Sequence, residues 1–118
     1  MRQIPLPPQM AADPAMASWA QAATAPPAVR SVAADYQATG ADCTLLCDAT
    51  AAPVTVTLPQ AAKNAGQTIT AKKIDASGHA VTVDGYAADK VDGAATYALT
   101  LQYESVTVQS DGSGWWVL

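Results

Sequence analysis

The sequence contains no phenylalanine, one histidine and two cysteines among its 118 residues. Hydrophobic residues make up 50% of the chain, but alanine supplies much of that fraction, so large core-forming side chains are scarce. A chain of this length has room for one domain and buries only about two-thirds of its unfolded surface. We therefore expect an oligomer, rather than an isolated monomer, to be the stable unit.

The chain has few basic residues, six against ten acidic ones, and a net charge of -4. Nucleic-acid binding requires a Lys/Arg surface, and the scattered basic residues here argue against a nucleic-acid partner. No apolar run approaches the roughly 20 residues that span a bilayer, which argues against a membrane partner. Prolines occupy positions 5, 7 and 8, where a signal peptide would have its apolar segment. We therefore expect synthesis in the cytoplasm.

The single histidine leaves little for catalysis. His79 follows Ser77-Gly78 in a predicted turn, where we expect a solvated loop side chain. A hydrolase needs a nucleophile, a base and an orienting acid brought together, and no second base is present. The sequence therefore predicts no catalytic residues.

The two cysteines, Cys43 and Cys47, are predicted to be free. If the strand prediction for 44–47 holds, they lie roughly 13 Å apart, at about 3.3 Å per residue, too far for a disulfide. We expect two small buried side chains on one face, and no metal site, because further ligands are absent.

An acidic loop carries Asp84, Asp89 and Asp92. In such loops Asp usually accepts backbone hydrogen bonds, and we favour that role here. A Ca²⁺ site remains an alternative, although the EF-hand spacing is absent. We predict no metal and no cofactor.

Residues 1–34 are rich in Ala, Pro and Met and differ from the rest. Asp13 and Pro14 are typical of a helix start, and Met16 and Trp19 begin an apolar stripe on a predicted helix over 14–23. This helix either docks on the chain's own β-domain or belongs to an anchoring arm. The candidate anchoring residues are Ile4, Leu6, Met16 and Trp19.

From about residue 35 the pattern has period two. It predicts seven short strands, at 44–47, 54–58, 68–74, 81–83, 97–101, 105–109 and 115–118, separated by turn signals. The predicted fold is all-β, a small antiparallel sandwich or barrel over 35–118. Val-Thr-Val recurs at 54, 81 and 106 at irregular intervals, which argues against a fixed-period solenoid and favours hairpins with valine inward. The predicted core face comprises Leu46, Val54, Val56, Leu58, Ile69, Ile74, Val81, Val83, Val106, Val108 and Val117.

Aromatic residues gather near the end of the sequence. Trp115 and Trp116 must point to opposite faces if they share a strand, so one enters the core and the other needs a different cover. We expect that cover to be another subunit; a sugar-stacking platform and packing of the arm are alternatives. The predicted interface residues are Trp115, Trp116, Tyr97 and Tyr103, and Tyr86 is a candidate glycan contact.

The stretch from Tyr36 to the end resembles a β-domain of tailed-bacteriophage virion proteins, of the tail-fibre, spike and head-fibre kind. The resemblance rests on a series of segments in a fixed order, namely LLCDAT at 45–50, VTVTLP at 54–59, TAKKID at 70–75, AVTVDG at 80–85, VDGAATY at 91–97, YESVTVQSDG at 103–112 and WWVL at 115–118.

The resemblance implies a homotrimeric structural module in the virion, made in the host cytoplasm, with no catalytic residues. The chain lacks the long shaft of such fibres and has a short Pro-rich arm in its place. This difference argues against host-receptor binding as the main role, and we expect instead a compact knob tethered through that arm to a capsid, portal or tail protein. A weak contact with the host surface is an additional expectation. A module that binds a host-surface glycan is the alternative.

Overall fold

The structure, a computed structural model, describes residues 28–118. The predicted helix over 14–23 and the residues Ile4, Leu6, Met16 and Trp19 lie outside this range. Nine strands and one short 3₁₀ helix (Ala61–Lys63) are present in the described part of the chain. The strands are β1 (Val29–Val32), β2 (Tyr36–Gln37), β3 (Thr44–Cys47), β4 (Val54–Thr57), β5 (Thr68–Lys73), β6 (Val81–Asp84), β7 (Thr96–Leu99), β8 (Ser105–Ser110) and β9 (Trp115–Val117).

The strands form two sheets. A five-stranded sheet has the order β1-β3-β5-β8-β9, and a four-stranded sheet has the order β2-β4-β6-β7. The all-β prediction is confirmed, but the antiparallel arrangement is not. Strands β1, β3 and β5 are mutually parallel, as are β2, β4 and β6, and only β7, β8 and β9 add antiparallel pairs.

Successive strands from β1 to β6 alternate between the sheets, so the chain winds as three stacked coils. Parallel neighbours need such crossovers, because a tight hairpin can only join antiparallel strands. The first two Val-Thr-Val segments lie side by side, with Val54 opposite Val81 and Val56 opposite Val83. The third lies in the other sheet. The interpretation of all three as hairpins was therefore wrong.

All seven predicted strands are present, as β3 to β9. Strands β1 and β2 add to them at the start of the domain. Because β1 occupies Val29–Val32 and pairs with β3, the β-domain begins earlier than the predicted boundary at residue 34. Any separate arm is confined to the residues before β1.

Side chains from the two sheets meet in one core, which includes Leu45, Val56, Val83, Leu99 and Trp115. Two residues of the predicted core face were misassigned. Leu46 and Ile74 are only half-buried, whereas their neighbours Leu45 and Lys73 point inward. In β5 the inward positions are Ile69, Ala71 and Lys73, so the strand keeps its period of two by burying a lysine.

No helix in residues 28–118 is long and apolar enough to cross a membrane.

Candidate interaction surfaces

The outward side of the five-stranded sheet, here called the broad face, is unusually poor in charge. Alternation along each strand places on it Val29, Ser31, Thr44, Leu46, Thr68, Thr70, Lys72, Ser105, Thr107, Gln109, Trp116 and, just after β9, Leu118. Lys72 is the one charged residue in this set. Val29 is 64% exposed, Trp116 51% and Leu118 72%. The broad face therefore offers apolar groups at both of its edges, with threonines between them.

The outward side of the four-stranded sheet, here called the narrow face, is different. It presents Gln37, Thr55, Thr57, Thr82, Asp84, Thr96 and Ala98. No side chain in this set is a large apolar group, and one is a carboxylate. Small polar side chains of this kind are typical of a solvated sheet surface.

The paired tryptophans point to opposite faces, as predicted. Trp115 is 1% exposed, inside the chain's own core, and its indole Nε1–H donates to the Pro59 carbonyl at 3.2 Å. Trp115 is thus buried by its own chain, and its prediction as an interface residue was wrong. Of the two tryptophans, only Trp116 is exposed for contact with another subunit.

Trp116 stands on the broad face with its ring held in place. Its Nε1–H donates to the Asp111 carboxylate at 2.8 Å. The Asp111 carboxylate also accepts hydrogen bonds from the backbone N–H groups of Ser113 and Gly114. These hydrogen bonds, that from Trp116 foremost, hold the pKa of Asp111 below its usual value. The turn between β8 and β9 therefore fixes the orientation of an exposed aromatic ring.

The predicted tyrosines do not converge on one site. Tyr103 is 62% exposed in the turn between β7 and β8, with the Lys72 ammonium 5.8 Å from its ring centroid. Tyr97 lies in β7 of the other sheet, half-buried against the core. Tyr86 is exposed in the connection between β6 and β7.

Tyr103 has a φ of +67°, a left-handed conformation that a bulky residue adopts only at a cost. Three contacts hold the turn. Its N–H donates to the Lys73 carbonyl, its carbonyl accepts from Lys72, and Glu104 accepts the N–H groups of Thr100 and Leu101. The chain thus keeps this aromatic side chain exposed beside the broad face.

The acidic loop serves the backbone. Asp89 accepts the Ala61 N–H and Asp92 accepts the Val117 N–H, both at 2.9 Å. Across residues 28–118 no three His, Cys, Asp or Glu side chains lie close enough together to hold a metal ion. The predicted role in backbone hydrogen bonding is confirmed for these two carboxylates.

A buried polar cluster, which the sequence analysis did not predict, lies where β5 ends. Lys73, fully buried, donates to Asp75 at 2.6 Å, and Asp75 also accepts from Ser77 and from the Ala49 N–H. Burial raises the pKa of Asp75, but the hydrogen bonds from Lys73, Ser77 and Ala49 outweigh it and hold the pKa well below its usual value. The carboxylate is therefore charged and fully partnered.

His79 belongs to this cluster and is not the solvated side chain that we expected. It is half-buried, and its Nδ1 lies 2.8 Å from the Ala49 carbonyl oxygen. A carbonyl only accepts, so Nδ1 carries the proton. The ring ties the loop before β6 to the turn between β3 and β4.

Both cysteines are free, as predicted. Cys47 is buried, and burial raises the pKa of its thiol to about 11, which leaves it unreactive near neutral pH. Cys43 is only half-buried, so the expectation that both are buried holds for Cys47 alone.

Within residues 28–118 no ligand-sized cavity is present. The surfaces that distinguish this molecule are therefore flat ones, and chiefly the broad face. No protein-family model matches the sequence, and no curated protein matches it either.

Proposed function

We propose that this chain is a structural protein of a tailed-bacteriophage virion, a short homotrimeric knob held on the capsid, portal or tail through its N-terminal segment. The resemblance of the segments from Tyr36 onward to those of phage fibre domains supports the phage assignment. The observation that carries the self-association is the broad face, with its exposed Val29, Trp116 and Leu118 and its single charge.

The size of the broad face suits an interface among three copies better than one between two. Its five strands, about 4.8 Å apart and three to six residues long at about 3.3 Å per residue, give roughly 360 Å² per subunit. Two such surfaces bury only roughly 700 Å², whereas three bury roughly 1,100 Å² together, near the lower limit for a specific interface. Three subunits with their broad faces toward a common axis would bury this surface from each copy.

The polar groups of the broad face are suited to burial, because several already have partners. Thr70 and Thr107 share a hydrogen bond of 2.8 Å between their hydroxyls, and the Lys72 ammonium donates to the Tyr103 carbonyl at 3.0 Å. A buried neutral polar group is costly only when it loses its hydrogen bonds, whereas a buried charge is costly unless an opposite charge pairs with it. Packing a second subunit over the threonines would therefore carry a small desolvation cost, provided that the Lys72 ammonium stays in contact with water.

Light scattering of the full-length protein tests the assembly. We expect a mass that is a whole multiple of the trimer's, and we expect the double substitution Trp116→Ala, Leu118→Ser to reduce it threefold. Tyr86→Ala, which removes an exposed ring in the connection between β6 and β7, should leave the mass unchanged. A monomeric wild-type protein would contradict the proposal.

Attachment to the particle is tested by deleting residues 1–27, a deletion that stops short of β1 and keeps both sheets whole. We expect the shortened protein to remain folded, with an unchanged circular dichroism spectrum, and to be missing from purified particles. Incorporation at the wild-type level would place the attachment elsewhere.

A glycan-binding module is the second candidate, and one observation favours it. The ring of Trp116 is exposed and held by Asp111, as a ring that stacks on a sugar would be. A glycan array with hits that disappear in Trp116→Ala or Tyr86→Ala would favour this function. An array without hits, together with a trimer whose Trp116 fluorescence is shielded from quenchers, would leave the structural role.

A further inference from the structure

Edge strands expose unpaired backbone groups that can accept another strand, and proteins usually block them. The two sheets have four such edges, at β1, β9, β2 and β7. The described residues show a blocking device at three of them.

The edge at β9 is closed by the segment before β7. Trp115 donates its N–H to the Lys90 carbonyl and accepts from the Asp92 N–H, and the Asp92 carboxylate accepts the Val117 N–H. These three bonds occupy three of the four backbone groups that Trp115 and Val117 turn away from β8. No strand can be added there without displacing them.

The edge at β2 is short. The strand has only two residues, and the Gln37 amide donates to the carbonyls of Ala38, Thr57 and Leu58 beside it. Very short edge strands are one of the ways in which proteins avoid strand addition.

The edge at β1 is protected by charge. The carbonyls of Ala28 and Val32 accept hydrogen bonds from the chain of β3 and its end, so the backbone groups of the even-numbered residues of β1 point toward β3. The backbone N–H and C=O groups of Val29 and Ser31 therefore point away from β3. If two copies paired antiparallel through those groups, with Val29 opposite Ser31, Arg30 would lie directly opposite its own copy. Like charges in that position are destabilising.

Arg30 is also held where it is. Its Nε donates to Asp42 at 3.1 Å, its guanidinium lies 5.2 Å from the Tyr36 ring centroid, and the Tyr36 hydroxyl donates to the same carboxylate. Burial raises the pKa of Asp42, but hydrogen bonds from the Thr39 N–H, Tyr36 and Arg30 lower it overall. An added strand would have to desolvate this cluster.

The edge at β7 carries no such device. The Gly85 N–H donates to the Ala95 carbonyl, in register with the pairing of β6 and β7. The backbone groups of the odd-numbered residues of β7 therefore point toward β6, and those of Thr96 and Ala98 point away from it. Among residues 28–118 nothing pairs with their outward backbone groups. With Thr96 opposite Ala98 of a second copy, Tyr97 would lie opposite its own copy, on the core side.

We propose that β7 pairs antiparallel with β7 of a second copy across a twofold axis, which joins the two four-stranded sheets into one of eight strands. Paired tyrosines are favourable across antiparallel strands, in contrast to the paired arginines that β1 would create. The residues facing each other on the outward side, Thr96 and Ala98, are small enough to lie together. The contact is separate from the broad face, so trimers, if formed, would be linked in pairs.

Proline substitution tests the contact in the full-length protein. Ala98→Pro removes an N–H that β6 does not use, so the chain can fold while strand addition is blocked. We expect the mass measured by light scattering to fall by half. Gln37→Pro in the edge strand β2 is the matched control, because its N–H also faces away from its neighbour β4 and Gln37 lies outside the broad face, so the mass should be unchanged. An unchanged mass for Ala98→Pro would overturn the proposal.

A cross-link gives a second readout if Ala98→Pro fails to fold. Residues 97 of the two copies would form a non-hydrogen-bonded pair with Cα atoms about 4.5 Å apart, which a disulfide can span. In a Cys43→Ser background, Tyr97→Cys should therefore give a covalent dimer on oxidation. Ala98→Cys, which faces Thr96 of the second copy, should not. Absence of the Tyr97→Cys dimer would overturn the proposal.

These outcomes are distinguishable from failure of the proposed trimer. If the broad face does not assemble, the Trp116→Ala, Leu118→Ser variant has the wild-type mass, while Ala98→Pro still halves it. If only the β7 contact is wrong, the trimer mass is insensitive to Ala98→Pro.

Discussion

The broad face and the narrow face are built from the same strand pattern yet suit different surroundings. Both sheets turn valine, leucine or isoleucine inward and threonine outward. The narrow face adds Asp84 and Gln37, whereas the broad face adds Leu46, Trp116 and Leu118. Inward residues thus determine that a sheet forms a core, and a few outward residues determine whether its other side is polar or apolar.

A charge placed in the middle of each face tests this difference most severely. Thr70 and Thr82 are central on the broad and the narrow face, and both are half-buried. Under the proposed function, Thr70→Asp should abolish assembly through the broad face and reduce the mass threefold, because three carboxylates would be buried together. Thr82→Asp should leave the mass unchanged. Equal effects in light scattering would show that the two faces do not differ in this way.

The next largest expected effect is on the free energy of unfolding, and it compares two adjacent lysines in β5. Lys73 is buried with Asp75, and Lys72 lies on the broad face. Lys73→Met leaves a buried carboxylate unpaired and should lower the free energy of unfolding by about 3–5 kcal/mol. Lys72→Met should change it by less than about 1 kcal/mol. Urea denaturation measures both, and similar losses would contradict the burial of Lys73.

Acid should lower the stability of the fold by protonating Asp75, the partner of Lys73. Because the pKa of Asp75 is lowered in the folded state, its stabilising contribution is complete above its unfolded pKa of about 3.9 and is lost as the pH falls toward the folded value. The free energy of unfolding should therefore decrease below about pH 4. Asp75→Asn should be less stable at neutral pH and show a shallower decrease, and a parallel decrease would contradict this assignment.

The smallest expected effect concerns the hydrogen bond between Thr70 and Thr107 on the broad face. Thr107→Val keeps the side-chain shape and should cost at most about 1 kcal/mol. Thr82→Val on the narrow face, where no such bond is present among the described residues, should be neutral. Thermal unfolding of the two variants makes the comparison.

The sequence predicted all the strands from β3 to β9 because most of them alternate with a period of two and each has a turn signal beside it. It missed β1, which lies next to an Ala/Pro-rich stretch and turns Arg30 toward the core side, and it missed the two-residue β2. Parallel pairing was not predictable, because local alternation is the same in either direction. Pairing across the coils depends on residues far apart in the chain.

The candidate surface was predicted in part. The opposite orientations of Trp115 and Trp116 followed from strand geometry alone. The contribution of Leu46 did not, because Leu45-Leu46 fits either phase of the strand. Lys73 was missed for a similar reason. Ile74 is the more probable core residue until the partner Asp75 is known, and that contact is formed only in the folded chain.

The winding of the chain between the sheets has a kinetic consequence. The chain passes from one sheet to the other six times, so neither sheet can be completed before most of the sequence has been ordered. Folding dominated by such distant pairings is slow, on the order of milliseconds to seconds. The two sheets should also lose amide-exchange protection together, as one cooperative unit. Under the proposed function, the chain would therefore reach the assembling particle either unfolded or with both sheets complete.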